Sequence, residues 1–218
     1  MAIVGFSRGF IFVKTTKTAG TSIEVHLARQ CGPDDVVTPI FPEVEGHLAR
    51  NHSGPDGSKI FYNHQPLSEI RNHIDPEFYA SAFKFCFERH PVDKCISHYS
   101  MFKNSPLHAE MRSFANWDAY VDEGHFPMDH MRYMDADGGL LVDHVYPYEQ
   151  LQDSLDDIAR RCGFPPAPLT VREKTGWRET ITPTPAQYAR IMNAFSETKP
   201  TFRKHGWLHT RLPCTNDI

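Results

Sequence analysis

Lys14 to Ser22 reads KTTKTAGTS, and its residue types and spacing suit it to holding a phosphate group. Lys17 supplies a mobile cation, Gly20 lets the backbone approach an anion closely, and Thr21 and Ser22 place hydroxyls where a helix would begin. A helix start also turns backbone N–H groups toward a bound anion. Lys14, Lys17, Thr18, Ala19, Gly20, Thr21 and Ser22 are therefore the candidate phosphate-binding residues. The plainer reading of the same letters is a threonine-rich helix cap with a solvated lysine. The segment is not a Walker A loop, which puts lysine directly after the last glycine, whereas Lys17 precedes Gly20 by three positions.

Two further places could do chemistry. Arg89 and Ser97 lie eight apart in ERHPVDKCISHY; each alone would pass for an ion-pair residue and an ordinary helix serine. His64, in NHQPLSEI, is one of thirteen histidines. An imidazole titrating near neutrality can take the proton from an attacking hydroxyl. The HFPMDHM stretch with His125 and His130 lacks metal-ligand spacing and reads as structural, so no metal is expected.

These residues need elements to position them. Gly9–Val13 (GFIFV) is an apolar, β-prone run that leads into the loop and then into the helix-like SIEVHLARQC. KIFY at 59–62, AFKFCF at 82–87 and DHVYPY at 143–148 repeat the strand signal. Helices are expected from Pro91 to Phe102, over LQDSLDDIARRC at 151–162, and over 186–195. Residues 117–139 read as irregular or as short helices over the site, 165–185 as a loop and 199–213 as an irregular tail. Strands alternating with helices imply an α/β fold with a central parallel sheet flanked by helices, in one domain spanning 1–218. Ligands of such sheets bind beyond the carboxyl ends of the strands. Lys17, His64 and Arg89 each follow an expected strand, so they are expected to converge on one crevice.

The composition fits an ordinary globular chain: 218 residues, 40% hydrophobic and 23% charged. A net charge of −4 with no basic run argues against nucleic acid as a partner. Five cysteines without paired spacing suggest neither a disulfide framework nor a zinc ribbon, so a reducing cytoplasm is expected. The N-terminal apolar stretch ends at Lys14 and lacks a cleavage site, so neither a signal peptide nor a membrane partner is expected. A bacterial source fits a chain that reaches a core strand so early.

Three segments in order carry a family likeness. KTTKTAGTS resembles the IPKTAGTS loop of the 3′-phosphoadenosine 5′-phosphosulfate (PAPS)-dependent sulfotransferases related to carbohydrate sulfotransferases, with Thr15 and Thr16 in place of Ile-Pro. ERHPVDKCISHY resembles their VRNPYDRLVSHY, with Glu88 in place of valine. NHQPLSEI resembles GHLPYSEI, and VYPYEQLQDSL looks like the RYENL segment. The resemblance spans roughly Phe10 to Gly163. It implies a P-loop-type three-layer fold and transfer of a sulfuryl group from PAPS to a hydroxyl of a sugar or small metabolite, leaving 3′-phosphoadenosine 5′-phosphate (PAP). Lys17 and His64 would be catalytic, and Arg89 and Ser97 would hold the 3′-phosphate, as a guanidinium and a hydroxyl are suited to do. Arg172 is a further candidate for a donor phosphate, and Trp177 and Phe202 could stack on adenine or simply cover the core. The alternatives are a P-loop nucleotide kinase or hydrolase and a non-catalytic nucleotide-binding module.

Overall fold

A computed structural model describes residues 2–170 and 178–196. The chain forms two compact units, one of Met1–Glu88 with Asp129–Glu173, the other of Arg89–Met128 with Lys174–Ile218. Arg172, Trp177, Phe202 and the tail at 199–213 lie outside the described residues.

The first unit is built on five strands: β1 (Ala2–Gly5), β2 (Phe10–Val13), β3 (Val36–Val37), β4 (Phe83–Glu88) and β5 (His144–Pro147). They lie in the order β3-β1-β2-β4-β5. β2, β4 and β5 run parallel, with Phe12 opposite Phe85 and Phe85 opposite His144. β1 is antiparallel to both of its neighbours, so the sheet is mixed rather than wholly parallel as expected. The cause is a short return: Phe6–Arg8 forms a single 3-10 turn closed by left-handed Gly9, which folds β1 back onto β2. Only β2, β4 and β5, from the middle of the sheet to one edge, keep the crossover connections that parallel pairing demands.

Alternation along the central strands feeds two cores. Phe10, Phe12, Phe85 and Phe87 pack with Ile23 and Leu27 of α1 (Gly20–Ala28) and Leu155 and Ile158 of α8 (Leu151–Cys162). On the other face Ile11, Val13 and Cys86 pack with Leu67 and Ile70 of α2 (Leu67–Ile70) and Tyr133 of α7 (His130–Tyr133). Both faces are covered, which is why these strands read as unbroken apolar runs. A further short helix, α3 (Pro76–Ser81), is capped by Asp75, whose side chain accepts from Glu77 N and Phe78 N.

The expected strand at 59–62 does not form. Residues 52–61 fold on themselves through Gly54 N to Ser58 O and Phe61 N to His52 O, leaving Lys59 a single bridge to Ser53. Phe61 still reaches the core from this loop, so its apolar signal reported burial and not pairing.

The second unit is helical, with α4 (Pro91–Asn104), α5 (Pro106–Met111), α6 (Trp117–Glu123) and α9 (Pro185–Ala194). Tyr99, Trp117, Tyr120, Ile191 and Phe195 form its core, with Trp117 and Tyr120 stacked at 5.3 Å. His125 sits among rings, 5.6 Å from His98 and 6.0 Å from Phe102. No helix among the described residues is long and apolar enough to cross a membrane.

Candidate active site

β2 ends at Val13 and α1 begins at Gly20, so the phosphate-loop candidate is the turn between the strand and a nine-residue buried helix. Lys17 (φ 61°) and Ala19 (φ 56°) adopt left-handed backbone. Each such residue costs roughly 1–2 kcal/mol when it carries a side chain. Four non-glycine residues have positive φ among those described, and three of them, Lys17, Ala19 and His64, belong to this site. Strain concentrated in this way is typical of a constellation held for function.

Hydroxyls pin the loop from inside. Thr15 Oγ1 donates to Phe87 O at the end of β4, and lies 2.9 Å from Thr18 Oγ1. Thr18 is 1% exposed, so its hydroxyl serves the loop, and what the loop can offer a ligand there is backbone. Lys14 is buried under α1, its Nζ 3.2 Å from Thr21 Oγ1 and 3.4 Å from Glu24 Oε2. Glu24 is fully buried and also faces Thr38 and His47. Gly20 also has a reason within the fold. A Cβ there would lie 2.6 Å from Lys14 Cε and 2.7 Å from its Cγ, so glycine makes room for the lysine stem. Ser22 is buried in the first turn of α1, and Lys17 is half-buried in the loop.

His64 follows an irregular loop, not a strand, yet the fold brings it to the same place. Its Nδ1 lies 3.1 Å from Lys14 O. A carbonyl can only accept, so Nδ1 carries the proton and Nε2 keeps a lone pair. Burial first, then nearby positive charges including those of Lys14 and Arg132, push the imidazole pKa down to about 3, with Asp129 opposing. The ring is therefore neutral at pH 7, with the Nε2 lone pair unprotonated. Gln65, 1% exposed, braces the loop: its Oε1 accepts from Tyr62 N at 3.3 Å and its Nε2 donates to Ile60 O at 3.1 Å. The Tyr62 hydroxyl donates to Glu69.

Asp129 and Arg132 were not singled out in the sequence. Asp129 is 1% exposed; its Oδ2 accepts from Thr16 N at 2.7 Å and its Oδ1 from Thr16 Oγ1 at 3.0 Å. Arg132 Nε donates to Asp129 Oδ1 at 2.5 Å, and its Nη1 donates to His64 O. No motif marked this pair, because its partners are distant in sequence.

No protein-family model matches the chain. It is similar to an uncharacterized protein of Archaeoglobus fulgidus, 27% identical over 104 residues, which are 46% of this chain and 83% of that protein.

Arg89 and Ser97 belong to the second unit. Arg89 follows β4 and is 8% exposed; its Nε donates to Asp93, in the first turn of α4. Arg178 donates to the other oxygen of Asp93. Arg89 and Arg178 thus share one carboxylate. Ser97 is half-buried on α4. Glu88 is buried at the end of β4, where, after burial, its charge pushes the Tyr133 phenol well above its ordinary pKa.

Proposed function

We propose that this protein is a sulfotransferase, moving the sulfuryl group of PAPS to a hydroxyl of a sugar or small metabolite. The observation that carries the reading is the join between loop and histidine. The strand-to-helix turn built to take an anion supplies, through Lys14 O, the acceptor that fixes His64 with Nε2 as a base. The P-loop type of fold is part of the same proposal, supported by the β2-loop-α1 unit beside parallel β4.

In this reading the 5′-phosphosulfate lies on Lys17 and the loop amides, and Arg89 and Ser97 serve the 3′-phosphate. The acceptor oxygen attacks sulfur in line, and the bond from sulfur to the bridging phosphate oxygen breaks. The acceptor proton passes to His64 Nε2, and PAP leaves with the bond's electron pair. Charge grows on the bridging oxygen, where Lys17 and backbone N–H groups stabilise it. A bound donor brings negative charge beside Lys14 and Arg132, which raises the proton affinity of His64 when a base is needed. Lysine and backbone dipoles take the role that a metal plays for triphosphates. A cytoplasmic site of action belongs to the proposal, in keeping with the free thiols of Cys31, Cys86, Cys95 and Cys162.

Incubation with isotopically labelled PAPS and a mixture of sugar and small-molecule alcohols tests the reading. Labelled sulfate ester and PAP are expected in equal amounts. Phosphate transfer or release from ATP, with no use of PAPS, would favour a kinase or hydrolase instead.

A further inference from the structure

We infer that Asp129 and Arg132 form a strut tying the anion loop to His64, which makes Arg132 a positioning residue for the imidazole. Its contacts close a ring. Asp129 holds Thr16 of the loop by backbone N–H and hydroxyl, and Arg132 by Nε. Arg132 holds the His64 carbonyl, and His64 returns through Nδ1 to Lys14, two residues before Thr16.

The links through Asp129 and Arg132 are charge-assisted, the stronger class of hydrogen bond. They act where Asp129 is almost fully buried, so water competes little for them. The strut stands on a fixed base, because Tyr133, next in α7, is fully buried in the core. Left-handed His64 needs such outside support, since its backbone conformation is costly alone. Among the described residues, the charged groups facing His64 are Lys14 from the end of β2 and Asp129 and Arg132 at the start of α7. An anion that shifts the loop is therefore felt at His64, and the base is aligned by the same loop that takes the donor. In its consequence for turnover this inference rests on the sulfotransferase reading; in its geometry it does not.

The test is the state of the His64 ring, followed by nitrogen NMR in the free protein. Wild type is expected to hold one tautomer, with Nδ1 protonated. Arg132→Gln, which removes the link at the partly exposed rim, is expected to mix the two tautomers, and Asp129→Asn to do the same. Arg132→Lys keeps the charge without the fork and should recover only part of the order. In turnover, Arg132→Gln should lower kcat on the order of 10²-fold, the scale of a misplaced catalytic group. Its affinity for PAP should change less than about threefold, because the arginine touches the base and not the donor. Wild-type ring shifts in Arg132→Gln overturn the inference whatever happens to turnover. If wild type fails to bind PAP, the donor reading falls while the ring shifts still decide the strut.

Discussion

Lys17→Ala is expected to lower kcat about 10²- to 10³-fold, the usual loss when one donor is removed from a preorganised site that stabilises developing charge. Binding of PAP should weaken much less, because the loop amides remain. Steady-state turnover beside a binding titration separates the two effects. Lys14→Ala should behave differently, although it lies three residues away in the same motif. Lys14 is buried against fully buried Glu24, so its removal leaves a carboxylate without its cation. Breaking a buried pair costs about 3–5 kcal/mol, and that loss would appear in urea unfolding. On the sulfotransferase reading one lysine would carry chemistry and the other the fold, a division visible only once burial is known.

His64→Asn is expected to cost about 10²- to 10⁴-fold in kcat, the contribution of a positioned general base. Asparagine can still donate to Lys14 O from its amide nitrogen, so the loop should keep its place. The pH profile gives a sharper signature. With a folded pKa of about 3 against an ordinary 6.5, His64 stays neutral through the acidic range. Wild-type kcat/KM should therefore not decline with the protonation of an ordinary histidine near 6.5, which would be the sign of a solvated ring. Stability carries the same shift. Between about 3 and 6.5 the unfolded chain binds more protons at this residue than the folded one. Stability from His64 is then complete above 6.5 and is lost as the pH falls toward 3. Unfolding at about pH 7.5 and about pH 5 should show a smaller pH dependence in His64→Asn than in wild type.

Local pattern made the parallel strands of the sheet legible. β2, β4 and β5 lie within a residue of the strand-like runs at 9–13, 82–87 and 143–148, and α8 matches its expected span of 151–162. β1 was harder to see, because one 3-10 turn and Gly9 fold a single apolar stretch into two antiparallel strands. β3 is two residues long, below any periodic signal. At 59–62 aromatic content was taken for pairing, when Phe61 is buried from a loop.

The site divides along the same line. Lys17 and Gly20 stand out as candidates because the loop is contiguous, and Gly20 also accommodates the Lys14 stem. His64 was placed by likeness of a short segment; the carbonyl that sets its tautomer comes from fifty residues earlier. Asp129, Arg132, Glu24 and Asp93 were missed because each acts through a partner chosen by folding. Charged residues of this kind are commonplace in a sequence, and only their burial or pairing distinguishes them.

Calorimetric titration of the metal-free protein with PAP, alongside AMP and with Arg89→Ala as the control, tests the central claim without knowledge of the acceptor. Arg89-dependent binding in the micromolar range, unmatched by AMP, is the expected result, because the 3′-phosphate distinguishes this donor from other adenine nucleotides. PAP that fails to bind, or binds no better than AMP, would contradict the sulfotransferase reading.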